Sequence, residues 1–228
     1  EGQPFLEAIR QLGYRVGREN VIYCHVTLVP FIPTAGESKT KPTQHSVNEL
    51  RRIGIQPDIV VCRTSRPLND EVKDKIALFC NVKKKAVIEA IDVDNIYEIP
   101  MLLQKQNFDV MVMEMLGLDR TDEPDLREWE NYLRRSKSPS KRAEIALVGK
   151  YIGHKDAYLS VNEAIEHAAV NNNAKVCIRY VEAEEVERLG VDTLKGVDAI
   201  LVPGGFGRRG VEGKIMAARY ARENLIPY

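Results

Sequence analysis

A short segment that combines two lysines with hydroxyl and amide side chains is the first place where this sequence could bind a ligand. Residues 39–44 read KTKPTQ and lead into an apolar pattern typical of a helix. Helix N-termini favour negative charge, so lysines there conflict with the helix dipole unless an anion such as phosphate lies between them and the exposed N–H groups. Thr40, Thr43 and Gln44 could add polar contacts to a nucleotide. A solvated surface loop without a specific role is the alternative, and the spacing alone leaves both open.

A glycine-rich segment between a strand pattern and a helix pattern is the second candidate site. Residues 201–213 read LVPGGFGRRGVEG, and glycines allow backbone conformations and close approaches that side chains would block. At the carboxyl edge of a parallel sheet, where ligands usually bind, its N–H groups could form an oxyanion hole. The segment lacks the spacing of a dinucleotide site and the Lys-Ser/Thr of a phosphate-binding loop. A plain tight turn is the alternative.

The segment at residues 39–44 lies within a series of alternating strand and helix patterns. Short apolar or β-branched runs predict strands at 21–31, 59–62 and 86–88. The helical patterns between them have Gly54 as a C-terminal stop and Asn69 as an N-cap. Ser46 and Glu49 have the spacing of a capping box, which predicts a helix start close to Ser46.

A second alternating series surrounds the glycine-rich segment. Strands are predicted at 144–149, 176–181 and 199–202, helices at 157–170 and 211–223, and the entry to a further strand at 226–228. Strand and helix in alternation predict an α/β fold with parallel sheets covered by helices on both faces. Between the two series, residues 119–142 have a linker composition with a short helical pattern around Trp129. We therefore predict domains at 1–118 and 143–228, with the boundary near Pro139.

The overall composition restricts the classes of protein to consider. Lys plus Arg and Asp plus Glu each number 33, so the formal charge is zero, which argues against nucleic-acid and membrane-surface binding. No apolar run approaches the roughly 20 residues of a membrane span, and no signal-peptide pattern is visible, so a cytoplasmic location is expected. The scattered cysteines predict buried free thiols in a reducing compartment: these are Cys24, Cys62, Cys80 and Cys177. The four histidines show no metal-ligand spacing.

Six segments together resemble the CTP synthase family. They are PFLEAIR at 4–10, KTKPTQHSV at 39–47, GIQPD at 54–58, IALFCNV at 76–82, VGKY at 148–151 and DAILVPGGFGRRGVEG at 198–213. The resemblance extends over essentially all 228 residues, in order. KTKPTQHSV, together with PGGFG followed by RGVEG, makes it specific.

The resemblance implies both a fold and an activity. The fold would comprise two α/β/α domains with mainly parallel sheets, a P-loop-like synthetase domain of the dethiobiotin synthetase type and a class I glutaminase domain, both incomplete here. The enzyme would make CTP from UTP in two steps. ATP would phosphorylate uracil O4, and ammonia from glutamine would then displace the phosphate. Mg²⁺ would be required, GTP would activate glutamine hydrolysis and CTP would inhibit. A homotetramer, in some members a filament, would be the assembly.

The same resemblance implies roles for individual residues. Positions that match UTP or CTP contacts are Glu1, Lys39, Thr40, Lys41, Pro42, Thr43, Gln44 and Lys75. Positions that match an ATP-contacting segment are Ile91, Asp92 and Val93. Gly205 matches a glycine whose backbone helps to hold the oxyanion. Arg209, Gly210 and Glu212 match a loop that couples GTP to glutamine hydrolysis.

Other functional parts of the family would lie outside this chain. The phosphate-binding loop and the Mg²⁺-binding carboxylates are expected before Glu1, and the glutaminase cysteine, histidine and glutamate after Tyr228. We therefore expect a fragment that by itself catalyses neither half-reaction. One alternative is a non-catalytic nucleotide-binding or assembly module with the same folds. Another is a different glutamine amidotransferase, against which KTKPTQHSV argues because glutaminase domains in general lack it.

Overall fold

Two compact units make up the chain, Glu1–Pro124 and Asp125–Tyr228. The computed structural model describes residues 2–119, 123–154 and 156–228. Each unit contains its own three-stranded parallel sheet with helices packed against it. The α/β fold with mainly parallel sheets, predicted from the alternating patterns, is confirmed.

The first unit is built on a sheet whose strand order is β1-β4-β5. Its strands are β1 (Cys24–Leu28), β2 (Phe31–Ile32), β3 (Glu37–Ser38), β4 (Ile59–Thr64) and β5 (Val87–Ile91). Its helices are α1 (Gln3–Val16), α2 (Lys41–Ile53), α3 (Asp70–Cys80), α4 (Ile99–Gln104) and α5 (Phe108–Met115). The central strand β4 is buried on both faces, since Ile59 and Val61 pack in one cluster and Val60 and Cys62 in another. This explains its continuous apolar run.

The strand predicted at 21–31 is divided in the structure. After β1 the chain continues into β2, which pairs antiparallel with β3 rather than extending the parallel sheet. Pro30 lies between β1 and β2 and has no N–H to donate to a ladder, so the strand cannot continue unbroken. The resulting hairpin leads directly into α2.

The helix boundaries follow some local signals and not others. Gly54 has a left-handed backbone after α2 (φ 92°, ψ 20°), and the Asn69 side chain accepts from the N–H of Val72 at 2.9 Å, so both predicted caps are confirmed. The capping box at Ser46 is wrong, because α2 already begins at Lys41 with proline in its first turn. Ser46 lies inside the helix.

The second unit has the strand order β7-β6-β8. Its strands are β6 (Lys141–Gly149), β7 (Ala174–Glu182) and β8 (Ala199–Leu201). Its helices are α6 (Arg127–Lys137), α7 (Leu159–Asn171), α8 (Ala183–Leu189) and α9 (Val211–Glu223). Buried Ala217 and Ala221 of α9 pack in one cluster with Val148 and Ile200 of the sheet, and small side chains allow this close packing.

The segment before β6 belongs to the second unit. In α6 the ring of Tyr132 meets His167 of α7 edge-on, with centroids 6.0 Å apart, and β6 begins at Lys141, within the polar stretch predicted as linker. The boundary predicted near Pro139 therefore falls inside this unit, because the units divide after Pro124. The further strand expected at 226–228 is not formed, although Pro227 accepts a 2.9 Å hydrogen bond from the N–H of Ile200 in β8.

The four cysteines are free, but only two of them are buried. Cys62 and Cys80 lie in the core, and burial raises the pKa of Cys62 to about 12. Cys24 and Cys177 are exposed, so their predicted burial is wrong. They lie on β1 and β7, the outer strands of the two sheets in the part of the chain that the structure describes. Within the described ranges, no helix is both long and apolar enough to cross a membrane.

Candidate functional site

A cavity of about 700 Å³ opens at the carboxyl edge of the sheet in the first unit. Its walls come from the β2–β3 hairpin, the start of α2, the segment after β4 and the start of α3. Its basic lining residues are Lys39, Lys41, Arg66 and Lys75, and its acidic ones are Glu37 and Glu71. Four cations and two carboxylates leave a net positive charge at this edge, which suits an anionic ligand.

The hairpin and α2 position the two lysines of KTKPTQ. The N–H of Lys39 donates to the Pro30 carbonyl at 2.9 Å, which holds the chain after β3 against the end of β1. Thr43 is fully buried, and its hydroxyl donates to the Leu28 carbonyl at 3.3 Å. Gln44 donates from Nε2 to Thr40 Oγ1 at 3.0 Å. Thr43 and Gln44 therefore anchor the start of α2 and do not line the cavity.

The charged groups of the cavity already interact with one another. Lys39 Nζ pairs with the carboxylate of Glu37. The pKa of Glu37 is lowered, chiefly by this hydrogen bond, then by the charge of Lys39 and less strongly by that of Lys75. Lys75, which only the resemblance selected, is therefore close enough to act on the same carboxylate.

Arg66 is a cavity residue that the sequence analysis missed. It lies two residues after the end of β4, and its guanidinium carbon lies 4.2 Å from the centroid of the Phe31 ring, as in a cation–π contact. Phe31 lies in the same cavity wall. A basic residue within two positions of the end of a buried parallel strand was the available signal, because strand ends converge at this edge.

The predicted ATP-contacting residues lie at the end of the adjacent strand β5. Ile91 ends the strand, and the N–H of Asp92 donates to the Thr64 carbonyl at 2.8 Å. The Asp92 carboxylate accepts a 3.0 Å bond from Arg63 Nε. Asp92 and Val93 are thus on the same sheet edge as the cavity without being among its lining residues. Glu1 lies outside the described residues, and its predicted nucleotide contact remains a prediction.

The glycine-rich loop of the second unit lies at the corresponding carboxyl edge. It follows β8 and ends at Gly210, where α9 begins. Gly207 has φ 81° and Gly210 has φ 70°, which glycine adopts without strain. A Cβ on Gly205 would lie 3.2 Å from Lys214 Nζ and 3.7 Å from Lys150 Cδ. The loop therefore rests on two lysine side chains.

Lys150 and Lys214 bind the carbonyl groups of this loop. Lys150 Nζ donates to Phe206 O at 2.7 Å and to Gly207 O at 2.8 Å, and Lys214 Nζ donates to Pro203 O at 3.1 Å. The pKa of Lys214 is lowered, first by burial and then by the charge of Lys150. Sequence reasoning gave neither lysine a role, although Lys150 stands in the VGKY segment that carries the resemblance.

The residues predicted to couple GTP to hydrolysis lie after the glycine turn. Arg209 donates to the Lys150 carbonyl at 2.8 Å and to Glu184 at 3.1 Å. A Cβ on Gly210 would come within 2.8 Å of the Ala183 Cβ, so this glycine is required for packing against α8. Glu212 is exposed in the first turn of α9.

No metal centre is assigned in the described ranges, where no three His, Cys, Asp or Glu side chains are grouped as metal ligands. We therefore assign no Mg²⁺ ligand to these residues.

The fold and these two sites define a two-unit α/β protein with a basic cavity in one unit and a lysine-supported glycine loop in the other. Residues 1–118 match the family model described as CTP synthase N-terminus. Residues 154–228 match the model described as glutamine amidotransferase class-I. The chain belongs to the CTP synthase family.

Two curated relatives cover the whole chain. A CTP synthase of Caldanaerobacter subterraneus subsp. tengcongensis is 57% identical over 229 residues, which are 42% of that protein. A CTP synthase of Ruminiclostridium cellulolyticum is 54% identical over 229 residues, 43% of its length. The chain therefore spans less than half the length of these relatives. A solved structure, the Trypanosoma brucei CTPS glutaminase domain with bound acivicin, is 45% identical over 38% of this chain and 34% of that one, with a TM-score of 0.35.

Proposed function

We propose that the intact protein containing this chain is a glutamine-hydrolysing CTP synthase that aminates UTP at the expense of ATP. The observation that carries the proposal is the basic cavity that residues 39–42 line together with Lys75 and Arg66. It supplies what a nucleotide triphosphate requires, namely several cations at one strand edge beside a helix N-terminus. Glutaminase domains in general lack this segment, so it favours UTP amination over other uses of glutamine.

The proposed role of the first unit is to bind and orient UTP. Lys39, Lys41 and Lys75 would donate charge-assisted hydrogen bonds to the triphosphate, which CTP shares with UTP. CTP would therefore inhibit by occupying the same cavity. The segment Ile91 to Val93 would contact ATP at the neighbouring strand end, where Asp92 is held by Arg63. ATP would phosphorylate uracil O4, and ammonia would displace that phosphate. Mg²⁺ would neutralise phosphate charge, with ligands outside the described residues.

The proposed role of the second unit is to hold the oxyanion formed during glutamine hydrolysis. Backbone N–H groups of the loop around Gly205 would donate to that oxygen as charge develops on it. Arg209, Gly210 and Glu212 would transmit GTP binding to this loop. The nucleophilic cysteine and its histidine and glutamate partners are expected in the remainder of the intact protein. The 228-residue chain alone would therefore turn over neither glutamine nor UTP.

The direct test uses the full-length protein. CTP formation is followed by absorbance with UTP, ATP, MgCl₂ and glutamine, and in parallel with ammonium chloride in place of glutamine. We expect synthesis in both cases, stimulation of only the glutamine reaction by GTP, and no synthesis without ATP. Nucleotide binding without any CTP formation would instead support the non-catalytic module.

The assembly and location of the intact protein belong to the same proposal. We expect a homotetramer, with filaments as a further state, and a cytoplasmic location, as the resemblance implies. Sedimentation of the full-length protein with and without UTP and ATP tests the assembly, and a monomer under all conditions would contradict it.

A further inference from the structure

Two lysine amines lie beneath the glycine loop, and neither pairs with a carboxylate among the residues that the structure describes. Lys150 is only 5% exposed, and Lys214 is half-buried. Their hydrogen-bond acceptors are three loop carbonyls, those of Pro203, Phe206 and Gly207. Burial, and after it the neighbouring charge of Lys150, lowers the pKa of Lys214. Placing two amines of like charge here is costly, because burial and like charge both disfavour their charged forms.

The direction of these carbonyls determines the direction of the loop N–H groups. In a trans peptide unit, the C=O of one residue and the N–H of the next point in opposite directions. No cis peptide occurs in the described residues. Because three carbonyls point toward the lysines, the N–H groups of Gly204, Gly207 and Arg208 point away from them. In the part of the chain that the structure describes, none of these N–H groups donates to a protein acceptor.

Gly205 lies between the two points at which the loop is anchored. Lys214 holds the Pro203–Gly204 peptide, and Lys150 holds the two peptides that follow Phe206 and Gly207, so the two peptides that contain Gly205 lie between the anchored ones. Residues 204–208 are exposed, so the outward N–H groups can be reached by a ligand. The backbone at Gly205 is thereby confined from both sides, and its lack of a side chain leaves room for Lys214 Nζ.

Lys150 is itself fixed at the end of β6. Its N–H donates to the Tyr158 hydroxyl at 2.9 Å, and its carbonyl accepts from Arg209 at 2.8 Å. Tyr158 packs over Gly149, where any Cβ would overlap the tyrosine ring. The amine that holds the loop is therefore already positioned before any substrate binds, which is what a preorganised donor site requires.

We propose that Lys150 and Lys214 are positioning residues for glutamine hydrolysis, orienting the loop so that its free N–H groups face the developing oxyanion. A carbonyl that accepts from an ammonium group is polarised, and the N–H of the same peptide becomes a stronger donor. The two lysines would thus act on the oxyanion through the loop peptides and would not touch the substrate. This inference rests on the proposed glutaminase function.

The test measures glutaminase kinetics of the full-length protein with GTP present. Lys150→Met and Lys214→Met keep much of the side-chain length but remove the donors, and Lys150→Arg restores donors and charge. Lys195→Met is the matched control, because Lys195 is an exposed lysine of the same unit that pairs with Asp192. Ammonia-dependent CTP synthesis and the melting temperature are measured for each variant, to show whether it is folded correctly.

We expect Lys150→Met to lower kcat for glutamine by about 10- to 100-fold, less than the 10²–10³-fold typical of losing an oxyanion donor outright. The KM for glutamine should stay within about threefold, since the interaction strengthens in the transition state. Lys214→Met should lower kcat less, because it frees one carbonyl rather than two. Lys150→Arg should recover part of kcat, and Lys195→Met should match the wild type.

Three results would overturn the inference. These are an unchanged kcat in both methionine variants, an effect confined to KM, and a parallel loss of ammonia-dependent synthesis and melting temperature, which would indicate a purely structural role. Failure of the underlying function is distinguishable, because the wild-type protein would then release no glutamate from glutamine.

Discussion

Lys39 and Lys41 are separated by one residue at the start of α2, and their surroundings differ. Lys39 pairs with Glu37, whereas Lys41 has no carboxylate partner within the described residues. Both lie in the wall of the same cavity, with Lys75 and Arg66. A triphosphate would compete with Glu37 for Lys39 and meet Lys41 directly. The contribution of Lys39 to the binding free energy is therefore the strength of its ion pair with the triphosphate less that of its ion pair with Glu37.

Replacing Lys39 by alanine in the full-length protein should weaken UTP binding. Loss of a charge-assisted hydrogen bond of roughly 1.5–3 kcal/mol corresponds to about 10- to 100-fold in affinity. Because Lys39 already pairs with Glu37, the loss of UTP affinity should lie toward the lower end of this range, at about 10-fold. CTP affinity should fall in parallel, because both nucleotides carry the triphosphate. Calorimetric titration checks this, with Lys85→Ala as control because Lys85 pairs with Glu114 away from the cavity. Unchanged affinity for both nucleotides would indicate a simple surface loop.

Gly205→Ala should impair the use of glutamine and spare the use of ammonia. The added Cβ would lie 3.2 Å from Lys214 Nζ, so this amine would have to move and its hydrogen bond to the Pro203 carbonyl would be disturbed. Loss of one oxyanion donor typically lowers the rate by about 10²–10³-fold. Rates of CTP synthesis with glutamine and with ammonium chloride provide the measurement. An equal decrease with both nitrogen sources would show that the loop serves the fold or the amination site.

At the scale of elements, helix ends bring the functional side chains to the sheet edges. Asn69 begins α3, which carries Lys75 to the cavity, and Asn69 itself lines that cavity. In the other unit α9 lies close against α8, because Gly213 has no side chain to separate them. Asn69 thus caps the helix that carries Lys75, and Gly213 allows the close packing of the helix that carries Lys214.

Asn69→Ala should destabilise the first unit by about 1 kcal/mol, because the N-cap bond to Val72 is lost. Urea denaturation monitored by circular dichroism measures the change in the free energy of unfolding. Asn69→Ser retains a capping oxygen and should lie close to the wild type. Equal destabilisation by serine and alanine would show that the cap contributes nothing.

Gly213→Ala should destabilise the second unit by about 1–3 kcal/mol, the usual cost of overpacking. A Cβ at this position would overlap the carbonyl oxygen of Ala183, and backbone cannot move aside as a flexible side chain can. Gly153→Ala is the control, because its Cβ would meet no atom within 4 Å. Thermal denaturation of both variants makes the comparison. Equal melting temperatures would show that α8 and α9 can separate without cost.

At the scale of the whole chain, apolar surface remains exposed in the first unit. Phe5 is 74% exposed and Leu12 is 58% exposed on α1, with Ile9 between them on the same side. The outer strand β1 exposes Val26 and Leu28, and its free edge can pair with another strand. Contiguous apolar surface and an open strand edge both favour association between molecules.

The 228-residue chain expressed by itself should therefore self-associate. Sedimentation velocity should show species larger than 25.8 kDa that increase with protein concentration. A Phe5→Ser/Leu12→Ser variant should shift the distribution toward monomer, and Lys105→Ser, an exposed substitution elsewhere in this unit, should not. A concentration-independent monomer with a sharp melt would contradict the prediction.

Local signals in the sequence determined the parallel strands, the helices α2, α3, α6, α7 and α9, the family and the two candidate loops. Gly54 and Asn69 set helix ends through contacts within a few residues, so these caps were readable without a structure. Only the tertiary structure decided which distant groups meet. Arg66 joins Lys39 because parallel strands end at one edge, and Lys150 reaches Phe206, 56 positions away, because β6 and β8 are neighbours. Strand order is set by packing of the whole unit, and no short-range pattern encodes it.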